Sequence, residues 1–97
     1  MMRRACSVDA NQREVVEALL RLGWDVIDTH QCAQYVPGFP DLVAARAGVT
    51  LFVEVKDGKA KLSDDEELFW QRHQAYLPLC IVRTVEDCIA ISGGKML

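Results

Sequence analysis

Ninety-seven residues give one domain and leave no length for a second hydrophobic core. The chain is 51% apolar and 26% charged, the balance of a globular protein, and no uncharged apolar run approaches a membrane span. The net charge of −3 speaks against binding nucleic acid by bulk electrostatics alone. Seven of the acids have other expected employment: Asp64, Asp65, Glu66 and Glu67 at the start of a helix, and Glu14, Asp41 and Glu54 at a candidate metal site. Setting these aside leaves seven acids against eleven bases, so the remainder of the chain is net basic.

In chain order, Asp9 to Leu22 is expected to form an amphipathic helix. Val15, Ala18, Leu19 and Leu22 recur at helical spacing, Asp9 with Gln12 offers a capping box, and Gly23 supplies the stop. Trp24 to Thr29 alternates apolar and polar residues and reads as a strand. His30 to Pro40, with Gly38 and two prolines, reads as a loop. Asp41 to Arg46 and Thr50 to Lys56 are two strands joined around Ala47-Gly48. A short basic loop, Gly58 to Leu62, leads to a second helix capped by Ser63 with Glu66 three residues on. Leu68, Phe69, His73 and Leu77 mark its buried side, and Pro78 ends it. Leu79 to Thr84 is a buried strand, and Thr84 with Asp87 opens a last helical turn to about Ile91. The expected order is αβββαβα, an α+β fold with a mixed sheet across residues 1–97.

The cysteines (Cys6, Cys32, Cys80 and Cys88) form no CxxC pair, and neither His30 nor His73 stands at zinc-finger spacing. Cys80 and Cys88 read as small core residues. Met1-Met2-Arg3-Arg4 is not followed by an apolar stretch, so no signal peptide is expected; with free thiols, this points to a reducing cytoplasm.

The chemistry is concentrated in Pro40-Asp41-Leu42-Val43 and Phe52-Val53-Glu54-Val55-Lys56. Glu54 and Lys56 stand two apart on a strand and leave one face, while Val53 and Val55 point to the core. Asp41, at the start of the neighbouring strand, can reach the same spot because paired strands lie about 5 Å apart. Two carboxylates and a lysine converging on a sheet edge suit phosphodiester hydrolysis. Hard oxygen ligands hold Mg²⁺, with Mn²⁺ as a substitute, and the ion polarises the phosphate and activates a water. The lysine orients that water and stabilises developing charge, and with carboxylates beside it Lys56 reads as positioner before general base. The Val55 carbonyl, between the two functional side chains, is a further candidate ligand.

Pro37-Gly38-Phe39-Pro40-Asp41-Leu42-Val43, then Glu54-Val55-Lys56, then Lys61-Leu62-Ser63 opening a helix, resemble the VRR-NUC family of PD-(D/E)xK nucleases. The resemblance continues into Cys80 to Asp87 and covers nearly the whole chain in order. The family includes stand-alone phage and bacterial domains and the nuclease module of the Fanconi-associated nuclease. The resemblance implies a restriction-endonuclease-like fold and Mg²⁺- or Mn²⁺-dependent cutting of branched DNA, with short forms acting on four-way junctions as homodimers. It implies Asp41 and Glu54 as metal ligands, Lys56 as the catalytic lysine and Glu14 as the acid from the first helix. Many relatives carry a glutamine where this chain has Glu66, and Gln71 lies about a turn and a half later.

Each of these readings has a plainer one beside it. Glu14 on a helix flank can simply be solvated. Arg46, Lys59 and Lys61 border the expected site and suit phosphate contact, or are surface charge. Tyr35 and Phe39 can stack on an unpaired base or pack the loop down. Arg3 and Arg4 are a candidate basic arm, Trp70, Tyr76 and Leu79 candidate interface groups, and His73 a filler of the helix interface. The expected function is a structure-selective DNA endonuclease, a four-way junction resolvase. Its rivals are a flap or nicking nuclease without junction preference and a catalytically idle DNA-binding module.

Overall fold

The computed structural model describes residues 6–93, and side-chain surroundings from residue 11 on; the Arg3-Arg4 arm lies outside the described residues. The chain runs α1 (Cys6–Arg21), β1 (Asp25–Asp28), a 3-10 turn (His30–Gln34), β2 (Leu42–Arg46), β3 (Val49–Val55), α2 (Asp64–His73), β4 (Leu79–Val82) and α3 (Val85–Ile91). This is the expected αβββαβα order with one unforeseen 3-10 turn. The four strands form one mixed sheet in the order β1-β2-β3-β4: the first three run antiparallel, and β4 lies parallel to β3. A parallel neighbour requires a crossover, and α2 provides it. Among the described residues no helix is long and apolar enough to cross a membrane.

The beginning of α1 corrects an expectation. The helix already includes Cys6, so Asp9 and Gln12 both lie inside it and Asp9 is not at its N-cap. Its end follows the sequence. Gly23 has φ +90°, and the bonds from Gly23 N–H to the Leu20 carbonyl and from Trp24 N–H to the Leu19 carbonyl close a Schellman motif. Trp24 is thereby turned inward beside Leu19, and its indole N–H donates to Ser92 Oγ at 2.8 Å.

The apolar stripe Val15, Ala18, Leu19 and Leu22 packs on one face of the sheet against Leu42, Ala44, Val53 and Val82, with Cys88 of α3 completing the core. Cys80 and Cys88 are free thiols packed in or against this cluster, as expected of small core residues. Burial pushes both thiols up to about 11.

Phe52 and Glu54 leave the opposite face, which α2 covers only in part. Phe39 bridges Phe52 (6.1 Å between centroids) and Phe69 of α2 (5.5 Å), both edge-on. Because this contact is a narrow stripe, Leu68 next to Phe69 remains 52% exposed, against the expectation that it is buried. His73 does fill the helix side: its ring lies 4.1 Å from that of Phe69, with Nδ1 2.8 Å from the Phe69 carbonyl. The helix stops at His73, short of Pro78, and the chain goes on in turns in which the Tyr76 and Leu77 N–H both donate to the His73 carbonyl.

Candidate active site

The register of β2 on β3 sets Leu42 opposite Val53, so one residue further Asp41 comes opposite Glu54. Asp41 is held from two sides. Its Oδ2 accepts the Val55 N–H at 2.9 Å. The end of β1 grips its backbone, with Thr29 N–H donating to the Asp41 carbonyl (2.9 Å) and Thr29 Oγ1 to the Pro40 carbonyl (2.8 Å).

Glu54 is 2% exposed, a depth at which a carboxylate is costly unless a proton or a cation accompanies it. Burial, reinforced by the adjoining carboxylates of Asp41 and then Glu66, pushes its carboxyl up to about 10. Among the described residues its buried Oε1 has no hydrogen-bond partner, and its Oε2 stands 3.9 Å from Lys56 Nζ. An orphaned carboxylate oxygen beside a second carboxylate suits a hard divalent cation. Among the described residues no cluster of three acidic, histidine or cysteine side chains stands ready for a metal. Asp41, Glu54 and the Val55 carbonyl line the cleft and are the groups that could hold such an ion, a sparse oxygen set that would leave Mg²⁺ most of its waters.

Lys56 lies just past β3. Its N–H donates to the Val82 carbonyl at 3.1 Å, and its carbonyl accepts from Asn11 Nδ2 at 3.0 Å. Its ammonium is 2.6 Å from Glu66 Oε1. Glu66 sits on the first turn of α2, where the expected capping box is formed: Ser63 N–H donates to Glu66 Oε1 (2.8 Å) and Glu66 N–H to Ser63 Oγ (3.2 Å). Burial raises the Glu66 carboxyl, but the bonds from Lys56 and Ser63 outweigh it and hold the group below the usual range. Gln71 is exposed on α2, so the residue that α2 brings to the lysine is Glu66.

Gly38 makes this approach possible. Its φ is +82°, and a Cβ there would run into the carbonyl of Asp65, so the Pro37-Gly38 turn lies directly against the first turn of α2. These groups surround a cleft of about 480 Å³ whose wall includes Asn11 and Gln12 of α1, His30, Asp41, Glu54 to Asp57 and Glu66.

Other expectations are corrected. Glu14 is exposed and is not part of the cleft wall; α1 contributes Asn11 and Gln12, the turn before it. Arg46 ends β2 at the far end from Asp41, and its guanidinium is occupied. It donates to the Leu22 carbonyl (2.7 Å) and the Ser92 carbonyl (2.9 Å) and lies 5.2 Å from the Trp24 ring centroid, so it clamps the end of the sheet to the core away from the cleft. Phe39 is held edge-on between Phe52 and Phe69, packing the loop down. Tyr35 is 83% exposed. Lys59 and Lys61 are exposed on a loop that Arg83 pins through bonds to the Gly58 (2.9 Å) and Ala60 (2.7 Å) carbonyls.

Five residues of the cleft wall were not expected there from the sequence: Asn11, Gln12, His30, Asp57 and Glu66. Asn11 lay inside an expected helix with nothing to mark it. His30 reaches Asp41, Nδ1 to Oδ1 at 3.9 Å, because its N–H donates to Asp28 Oδ1 and begins the 3-10 turn, an Asx signal that Asp28-Thr29-His30 does carry. Glu66 was visible as a capping residue but not as a partner of Lys56. Comparison with protein-family models, with characterised proteins and with solved structures finds no match for this chain.

Proposed function

We propose that this cleft is the centre of a metal-dependent DNA endonuclease of the PD-(D/E)xK type, similar to VRR-NUC domains. The observation that carries the reading is Glu54: a carboxylate 2% exposed, one oxygen unpartnered among the described residues, set across from Asp41 and two residues from a lysine in the same cleft. A stable core has no use for such a group; a cation site does. Asp41, Glu54 and the Val55 carbonyl would hold Mg²⁺ or Mn²⁺. The ion, when bound, supplies Lewis-acid charge to a phosphate and lowers the pKa of a coordinated water.

The chain's own residues do the rest. Lys56 presents its ammonium where negative charge accumulates on the phosphate. Lys59 and Lys61, on the loop braced by Arg83, offer exposed cations to the DNA backbone beside the cleft. Tyr35, largely exposed, is free to stack on an unpaired base. Branched DNA is the proposed substrate and a four-way junction the favoured one, with a homodimer supplying one centre per strand.

Cleavage of a labelled panel (duplex, single strand, flap, fork and four-way junction) in Mn²⁺ tests this reading. The junction should be cut at least about tenfold faster than duplex, a discrimination of about 1.4 kcal/mol. Equal rates on all forms would make the enzyme a general nicking nuclease. No cleavage of any form would leave an idle DNA-binding module.

A further inference from the structure

We infer that Glu66 is the positioning residue for Lys56, fixing its ammonium beside Glu54 through the docking of α2 on the Gly38 turn. The inference rests on the nuclease reading for its consequence, but on contacts for its substance. A lysine has a flexible four-carbon stem and does not hold a place unaided. Lys56 is fixed at both ends. At the root, its N–H is bonded to the Val82 carbonyl (3.1 Å) and its carbonyl to Asn11 Nδ2 (3.0 Å). At the tip, Nζ is 2.6 Å from Glu66 Oε1 but 3.9 Å from Glu54 Oε2, too long for a hydrogen bond, so Glu66 sets where the ammonium lies. Both partners are largely shielded, with the Lys56 side chain 16% and that of Glu66 19% exposed, so the pair is not a loose surface contact.

Glu66 is itself immobilised. The same Oε1 accepts the Ser63 N–H, the Glu66 N–H returns to Ser63 Oγ, and the turn carrying both abuts Gly38. A line of fixed points thus runs from the Gly38 turn through the first turn of α2 to the lysine tip. Misplacing a reacting group by about 1 Å costs on the order of 10²-fold in rate, which is the effect such an arrangement guards against.

Three variants separate this role from capping alone. Glu66→Ala removes the acceptor for Lys56 and the cap together. Ser63→Ala weakens the cap and leaves the acceptor. Glu66→Gln keeps an oxygen for both bonds. At saturating four-way junction in Mn²⁺, Glu66→Ala should lose on the order of 10²-fold in rate with little change in KM. Glu66→Gln should recover to within about tenfold of wild type, since a neutral acceptor makes a weaker bond. Ser63→Ala, which loses the Oγ bond but keeps the Ser63 N–H on Glu66 Oε1, should slow the reaction by less than about tenfold, and Mn²⁺ affinity should hold in all three. Reductive methylation supplies a readout independent of cutting: Lys56 should label far more slowly than Lys59 and Lys61 in wild type, and Glu66→Ala should abolish that protection.

Unchanged labelling in Glu66→Ala, an unchanged rate in it, or a Ser63→Ala as slow as Glu66→Ala would overturn the assignment. So would a loss of Mn²⁺ affinity in Glu66→Gln, which would make Glu66 a ligand. A wild type that cuts nothing yet shows the expected labelling sinks the nuclease reading and leaves the placement of Lys56 standing.

Discussion

Glu54 ties the chemistry of this chain to its stability. Its carboxyl is raised from 4.5 to about 10, by burial first and by Asp41 next, so the metal-free fold prefers the protonated group. The sign follows. The stability contributed by neutral Glu54 is complete below the unfolded carboxyl pKa near 4.5, and it is lost progressively as pH rises toward about 10. The proposed cation would reverse the preference by holding the carboxylate charged, and would so displace a proton. Calorimetry of Mn²⁺ binding at pH 7, repeated in buffers of different ionisation enthalpy, should show proton release approaching one per ion. Glu54→Gln should lose the release and most of the affinity, and Asp41→Asn should lose affinity. Binding without proton release would place the ion elsewhere.

The residues that strand periodicity governs were legible. Asp41, Glu54 and Lys56 could be brought together on paper because a period of two fixes their faces and a hairpin fixes their register. The same parity, applied to Arg46, puts it with Leu42 and Ala44 on the core side, where it clamps Trp24. Proximity in sequence to the site was the weaker guide there. Asn11, His30 and Glu66 arrive from three other elements, and nothing local to them announces the meeting.

Elements were read well where end signals are strong and poorly where they are weak or missing. Ser63, Thr84 and Gly23 mark the ends they were assigned, and Ala47-Gly48 makes the two-residue turn with φ of +49° and +82°. The 3-10 turn at His30 rests on an Asx bond to Asp28 that the loop reading passed over, and no breaker marks the stop of α2 at His73. The Gly38 turn is the element on which the cleft depends most. Gly38→Ala would force both an unfavourable φ and a clash with the Asp65 carbonyl. It should cost at least about 1–3 kcal/mol in denaturant unfolding and should also slow cleavage, because α2 carries Glu66. A variant as stable as wild type would show that the turn can back away from α2. Arg46→Ala should cost roughly 1–3 kcal/mol by unpairing two carbonyls while leaving DNA affinity intact. A loss of DNA affinity without a loss of stability would return Arg46 to the binding surface.

At the scale of the whole molecule, the sheet is well covered on one side only. α1 and α3 seal the face bearing Leu42 and Val53. The opposite face keeps Ile27 at 57% exposure, and Tyr76 beyond α2 is 69% exposed. A chain of this size gains most from added burial, so the proposed homodimer has a thermodynamic as well as a catalytic motive. Light scattering at micromolar concentration should give about twice the 10.9 kDa chain mass. A mass near 10.9 kDa would leave a monomer that nicks one strand at a time.

The measurement that bears most directly on the nuclease reading is nicking of supercoiled plasmid by wild type and Lys56→Ala, each in Mn²⁺, in Ca²⁺ and in excess chelator. Lys56 is on the cleft wall and outside the core, so its removal should leave the protein folded, less stable only by the lost pair with Glu66, and Mn²⁺ affinity near wild type. Wild type should convert the plasmid in Mn²⁺ and in neither other condition, while Lys56→Ala should fall by at least about a hundredfold. Cleavage by Lys56→Ala within tenfold of wild type, or equal cleavage in chelator, would contradict a metal-dependent reaction at the Asp41–Glu54–Lys56 cleft.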